Sequence, residues 1–358
     1  MINLGHGANV EDMASRYHKN PKDVLDFSAN INPYKIEKLD SYVLEALRRS
    51  CHYPDIYYTE LRTNLAEYLD CERDWVIPGN GATELMYLLM KCIDGPLAIV
   101  NPTFSEYERS ARLNQIQVVS FALNKHNGFS LEMEEIASRI DEFESLFICN
   151  PNNPTGKVQN LKEILDLLRE KGKKLIVDET FIEFVEDEKT YSLLNYIKDY
   201  PNLIMIRAAT KFFGLPGIRL GYGVTSDKVL LNKMNAYKEP WTVNSFAEYL
   251  SHYMFKDQAY IERSKTYFKE ERKRMLQKLG ELRAFKACPT DTNFILIELK
   301  NIKAKELKER LFEKYNLLIR DASNFKGLDE SFIRIAIKTQ KENDYLIHHF
   351  KKEDELHG

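Results

Sequence analysis

Four short apolar runs, Leu97–Val100, Leu146–Cys149, Leu175–Asp178 and Leu203–Ile206, punctuate the middle of the chain. Runs this short and this uniformly apolar suit parallel strands covered on both faces. Stretches of helical periodicity separate them; Leu161–Lys171 is one, closing at Gly172. The expected fold class is therefore α/β, a wound and mostly parallel sheet in a large domain. Ligands of such sheets bind in the crevice beyond the carboxyl ends of the strands. A charged helical stretch from about Ser245 to Leu282 follows, read as a solvated helix crossing between domains. After it, Asn293–Glu298, Leu317–Arg320 and Phe332–Ile337 read as strands of a smaller α+β C-terminal domain, and the tail Lys351–Gly358 is expected to fray. The chain of 358 residues divides on this reading into a large domain over 46–244 and a small domain over 245–358, with 1–45 packing against the small domain.

The chemistry-bearing residues follow the apolar runs. Lys211 lies just past the fourth, Asp178 ends the third, and Arg219 comes eight residues after the lysine. An amine, a buried carboxylate and a guanidinium in this order match the needs of pyridoxal 5'-phosphate. The amine condenses with the aldehyde, the carboxylate keeps the pyridine nitrogen protonated, and the cation holds the phosphate. A carboxylate ending an apolar strand is costly unless paired, and a protonated ring nitrogen is a fitting partner for Asp178. Gly79–Glu84 is a glycine-rich turn before an apolar helical pattern, so the backbone N–H groups of Gly81, Ala82 and Thr83 offer a phosphate site. The alternative for that turn is a capped helix start alone. Phe104 could stack on the ring or simply fill the core. Asn153, in Asn150-Pro-Asn-Asn-Pro-Thr-Gly156, could bond the ring 3′ oxygen or only shape a turn. Cys149 ends an apolar run and reads as a buried thiol.

Composition excludes several classes. A net charge of −3 favours neither nucleic acid nor an anionic membrane as partner, and no basic extension suggests a DNA-binding regulator. No apolar run approaches the roughly 20 residues that span a bilayer, and Met1–Gly7 lacks the regions of a signal peptide, so a cytoplasmic protein is expected. Five scattered cysteines with no Cys-x-x-Cys pair argue against zinc and disulfide frameworks, and no metal is expected.

With these motifs in hand, the chain resembles the fold type I pyridoxal-phosphate enzymes of aminotransferase class I/II over nearly its whole length. Within them it is most similar to the cobalamin-pathway threonine-phosphate decarboxylases, relatives of histidinol-phosphate aminotransferase. The narrower resemblance rests on His6-Gly-Ala-Asn9, Asp26-Phe-Ser-Ala-Asn-Ile-Asn-Pro33, Asp178–Phe184, Thr210–Tyr222, Pro240–Asn244 and Leu318–Asp329. It implies Lys211 as the Schiff-base lysine, Asp178 as partner of the ring nitrogen, and Arg219 and Thr210 as cofactor ligands. It further implies that Tyr53 reaches the cofactor phosphate of a neighbouring subunit, which makes an active homodimer. His6, Gly7, Asn30, Asn153, Arg320 and Arg334 match positions that bind a small phosphorylated amino-acid substrate. Two guanidiniums can grip a carboxylate and a phosphate with bidentate geometry. The implied reaction is decarboxylation of O-phospho-L-threonine to (R)-1-aminopropan-2-yl phosphate, with a phosphorylated-amino-acid transaminase as the alternative. There are departures. Ala208 replaces a serine usual in the superfamily, and Ala8 a glycine. Lys338 stands where these decarboxylases often have a second arginine. Phe181 replaces the tyrosine by which aminotransferases bond the 3′ oxygen, and it is common among the decarboxylases.

Overall fold

The computed structural model describes Gly7 and residues 9–358. All four apolar runs form strands, and three further strands join them in one seven-stranded sheet: β1 (Val76–Asn80), β2 (Leu97–Asn101), β3 (Val118–Ala122), β4 (Ser145–Cys149), β5 (Lys174–Asp178), β6 (Leu203–Ala208) and β7 (Leu220–Val224). Their spatial order is β1-β7-β6-β5-β4-β2-β3. The five strands from β6 to β3 run parallel, while β7 is antiparallel to both β6 and β1. Every residue of β2, β4 and β6 is buried, as strands covered by helices on both faces require.

β1 and β7 escape the apolar pattern because they carry Pro78, Gly79, Gly221 and Gly223. The glycines serve contact rather than turning. A Cβ on Gly221 would stand 2.2 Å from the backbone nitrogen of Ala82, so only glycine lets helix α1 (Gly81–Met90) lay its first turn on β7.

The small domain holds a four-stranded antiparallel sheet. Its strands are β8 (Phe285–Ala287), β9 (Phe294–Leu299), β10 (Arg320–Asp321) and β11 (Phe332–Ala336), in the order β10-β11-β9-β8. The segment read as one strand over Leu317–Arg320 is split. Leu317 and Leu318 instead pair in parallel with Leu25 and Asp26 of the N-terminal segment. Met13 and Ala14 pack nearby on Phe312 and Leu318.

Two expectations need correction. The stretch Ser245–Leu282 is two helices, Ser245–Met254 and α2 (Gln258–Gly280), the second begun by the Asp257 side chain accepting from the Tyr260 N–H. Nor is α2 merely solvated: Tyr260, Phe268, Met275 and Leu279 line one buried face, along with Glu271 and Arg272. Arg272 donates to the carbonyls of Phe184 and Asp291 at 3.2 and 2.9 Å, tying the two domains together. The C-terminal tail does not fray. Helix Gln340–His357 runs almost to the end because Glu353 is buried against Arg310 at 2.8 Å. Asp354 also accepts the N–H groups of Arg283 and Ala284 at 2.8 and 2.6 Å.

Candidate active site

The carboxyl ends of β2, β4, β5 and β6 open into a cavity of about 750 Å³, closed on its far side by residues of the small domain. Lys211 enters it from the short helix Ala209–Phe212 that follows β6. The backbone around this lysine is fixed. Its carbonyl accepts the Asn32 N–H at 3.0 Å, and the next carbonyl, of Phe212, accepts from Asn32 Nδ2 at 2.9 Å and the Tyr260 hydroxyl at 2.7 Å. Burial, with the guanidiniums of Arg334 and Arg219, lowers the Lys211 amine to about 8, against the opposing pull of Asp178 and Asp26. Near neutral pH roughly a tenth of this amine is therefore uncharged and nucleophilic, far more than for an ordinary lysine.

Asp178 lies at the end of β5, 4% exposed. Burial pushes its carboxyl upward, and hydrogen bonds oppose the push. Thr180 donates its N–H to Oδ1 at 2.9 Å and the Tyr107 hydroxyl donates to Oδ2 at 2.6 Å. Beside β7, the Arg219 guanidinium lies across Gly81: a Cβ there would stand 2.4 Å from Nη2. Gly81 has φ +77°, a conformation that also favours glycine. Glu84 accepts the Asn80 N–H at 2.5 Å at the start of α1, beside Arg219. A dipole-positive helix end and a guanidinium thus converge on one spot.

From the small domain, Arg334 on β11 reaches in, 6% exposed. It donates to Asn153 Oδ1 and, at 2.9 Å, to the carbonyl of Ser28, and it lies 5.3 Å from the centre of the Phe294 ring. Burial and neighbouring Arg320 lower it to about 9, so it remains a cation at neutral pH. Arg320 bonds Asn324 Oδ1 at 2.7 Å and stands over the Phe325 ring at 5.4 Å.

The cavity therefore brings together Gly7, Asn30, Ala82, Thr83, Phe104, Asn153, Asp178, Phe181, Thr210, Lys211, Arg219, Arg320 and Arg334, with Gly81 directly beneath Arg219. Ala208 also lines it, and Lys338 is not among the lining residues. Tyr53 lies outside it, 82% exposed and leaning on Trp241. His6 and Ala8 fall outside the described residues. Cys149 is buried at the end of β4, as its apolar run suggested, and burial raises its thiol pKa.

Sequence reasoning missed Tyr107. Its hydroxyl fixes Asp178 while its ring stacks on Phe147 at 4.1 Å. The available signal was its place three residues after Phe104, at the start of helix Glu106–Leu113; the two rings meet edge-on at 5.7 Å. Also missed was the rim, where Glu108, Arg109, Arg112 and Lys326 surround the opening.

Known proteins are similar to this chain over nearly its whole length. A protein of Caldanaerobacter subterraneus named "Putative threonine-phosphate decarboxylase" is 41% identical over 96% of this chain and 92% of its own length. The threonine-phosphate decarboxylase of Salmonella typhimurium is 31% identical over 97% of this chain and 96% of its own. The solved histidinol-phosphate aminotransferase of Clostridium acetobutylicum superposes with a TM-score of 0.88 at 37% identity, covering 93% of this chain and 99% of its own. The family model for aminotransferase class I and II matches residues 22–350, and with that span the chain belongs to this family.

Proposed function

We propose that the chain is a pyridoxal-phosphate-dependent lyase that decarboxylates O-phospho-L-threonine to (R)-1-aminopropan-2-yl phosphate and CO2, in cobalamin biosynthesis. The family is pyridoxal-phosphate dependent, and the residues present fit that group. A buried amine at about 8 stands in a cavity with a carboxyl whose burial calls for a cationic partner. A glycine cradle under Arg219 offers a place for a phosphate. Lys211, Asp178, Thr210, Arg219 and the N–H groups of Gly81–Thr83 would hold the cofactor, with Phe104, Asn153 and Phe181 around its ring. Once bound, it supplies an aldehyde for the substrate amine and a sink for the electron pair released at Cα.

The chain's own residues do the remaining work. Lys211 would hold the cofactor's aldehyde carbon, and its ammonium form, with the amine lowered to about 8, would carry a proton to Cα. Tyr107 and Thr180 hold the Asp178 carboxylate in one orientation. Arg334 and Arg320 come from neighbouring strands of the small sheet, so they can grip a dianionic substrate at two points and fix which bond at Cα stands out of plane. The observation that carries this reading is the pair of small-domain guanidiniums facing a buried lysine in one cavity. The 41% and 31% identical relatives support phosphothreonine as the substrate. Phe181 supports decarboxylation: it offers no hydroxyl and packs edge-on against Phe294 at 5.0 Å.

The likeness to a histidinol-phosphate aminotransferase favours a second reading, transamination of a phosphorylated amino acid. Incubating the holoenzyme with phosphothreonine and measuring CO2 against keto acid separates the two. CO2 released in proportion to amine formed supports the lyase, whereas keto acid formed without CO2 overturns it.

The active unit on this reading is a homodimer. Tyr53, Tyr57 and Ile56 are exposed to 82, 74 and 44%, next to Tyr237 and Trp241 at 53 and 44%. An apolar, aromatic surface of this kind suits burial against a second copy, which would bring Tyr53 to the partner's cofactor phosphate. No helix among the described residues is long and apolar enough to cross a membrane, and no group of side chains among them could hold a metal.

A further inference from the structure

Beside the site, at the carboxyl ends of β5 and β6, lies a buried ionic cluster that the proposed chemistry does not use. Arg207, 2% exposed, precedes Ala208 at the end of β6. It donates to Glu179 Oε2 at 2.7 and 3.1 Å, to Ser192 Oγ at 2.8 Å and to Glu188 Oε1 at 3.2 Å. Glu179 directly follows Asp178, and its N–H bonds the Ile206 carbonyl at 2.8 Å. The Arg207–Glu179 pair therefore clasps the ends of the two strands that present Asp178 and lead to Lys211.

Glu183 sits beside this cluster, 1% exposed, and no other residue among those described donates a hydrogen bond to its carboxyl; only its own backbone N–H lies near enough to lower it. The buried Tyr222 hydroxyl is likewise unpartnered. We propose that Glu183 is held as a neutral carboxylic acid at neutral pH, and that its ionisation at alkaline pH competes with Glu179 and Glu188 for Arg207 and loosens this clasp. Three carboxylates, Glu179, Glu183 and Glu188, face two cations, Arg207 and Lys265, the latter 2.8 Å from Glu188. One negative charge too many in a buried site is neutralised at lowest cost by a proton. Glu183 takes it because Glu179 and Glu188 both accept hydrogen bonds from Arg207, while Glu183 accepts none from it. The remaining groups that face it, Tyr222 from β7 and Tyr68 from helix Thr59–Leu69, are hydroxyls whose own burial keeps them neutral. Burial pushes the Glu183 carboxyl up to about 8; Arg207 and Lys265 oppose the shift and Glu188 adds to it.

The sign of the linkage gives the test. A carboxyl raised from its ordinary 4.5 to about 8 contributes stability that is fully present below about 4.5 and lost as pH rises through about 8. Glu183→Gln keeps the shape and cannot ionise. Thermal unfolding of the two holoenzymes should match near the acid end. The variant's advantage should then widen by up to about tenfold in the unfolding constant per pH unit, levelling off above the wild-type carboxyl's titration. The alkaline limb of the kcat profile should move to higher pH in the variant, with KM unchanged at neutral pH. An ionised Glu183 paired with Arg207 predicts the opposite, a variant that is less stable and falls further behind as pH rises. That result overturns the proposal, as does a difference independent of pH or an alkaline limb that does not move. If the glutamine variant fails to fold, infrared spectroscopy of the wild-type protein decides. A protonated-carboxyl band persisting at neutral pH and titrating away near 8 supports the proposal, and its absence overturns it.

Discussion

Replacing Arg334 with alanine tests the substrate clamp, because the structure assigns this one side chain two separable effects. It is a buried cation with hydrogen bonds to Asn153 and the Ser28 carbonyl, and it faces the cavity. Removing one partner of a desolvated ionic contact costs about 2–5 kcal/mol of binding. At about 1.4 kcal/mol per factor of ten, that is roughly 30- to 5,000-fold weaker phosphothreonine binding. The second effect falls on Lys211, whose amine is lowered in part by the Arg334 charge, so Arg334→Ala should raise it. Both are read from the visible absorption of the bound cofactor, titrated first with substrate and then with pH. The expected result is cofactor still bound, substrate affinity reduced by that order, and the pH titration of the visible band moved to higher pH, because losing a neighbouring cation favours the protonated form of the attached nitrogen. Arg334→Lys should restore the charge effect on Lys211 while leaving affinity impaired, since an ammonium cannot make the bidentate contact. Unchanged affinity would remove Arg334 from the substrate site, and loss of the cofactor itself would show that Arg334 holds the fold.

Lys211→Ala should abolish the visible band of the attached cofactor and essentially all turnover; a variant retaining both refutes the lysine assignment. Mixing inactive Lys211→Ala chains with inactive Tyr53→Ala chains should restore part of the activity, because a mixed dimer holds one intact site, whereas sites built within single chains would restore none. Gly221→Ala should weaken cofactor retention measured by dialysis, since its Cβ meets Ala82 N at 2.2 Å and displaces the first turn of α1. Overpacking of this kind costs about 1–3 kcal/mol, and a variant with normal retention would show that the cradle tolerates the shift.

The parallel centre of the sheet was legible because its strands are buried on both faces, which leaves a continuous apolar record in the sequence. The antiparallel margin was not. In β7, Gly221 and Gly223 occupy places where the strand meets α1 and Ile77 closely, so the residues that define the contact erase the apolar pattern that would announce the strand. The C-terminal tail was misjudged for a related reason. Glu353 and Asp354 look solvated in a charged sequence, yet Arg310 and the backbone of Arg283 and Ala284 supply their partners from 43 to 71 residues away.

The site follows the same division between local and distant causes. Lys211 and Asp178 were legible because one follows and the other ends a strand, and the crevice rule places such residues together without any knowledge of side-chain contacts; Arg219, just before β7, was legible only by its spacing from Lys211. Arg334 was legible because a cation inside an apolar strand must face something that compensates it. Tyr107 had only its nearness to Phe104 as a local signal, and its role rests on a hydrogen bond to a carboxylate 71 residues away. Glu183 shows the limit most clearly, since Asp178-Glu-Thr-Phe-Ile-Glu183 contains three acids of identical local character. The fold makes one a buried carboxyl held by Tyr107 and Thr180, one the partner of Arg207, and one a carboxyl without a partner. What separates them is which donors the fold brings to each, hydroxyl and N–H groups to Asp178, Arg207 to Glu179, and no other residue's donor to Glu183 among the described residues. That distribution of charge among strands is a property of the assembled fold alone.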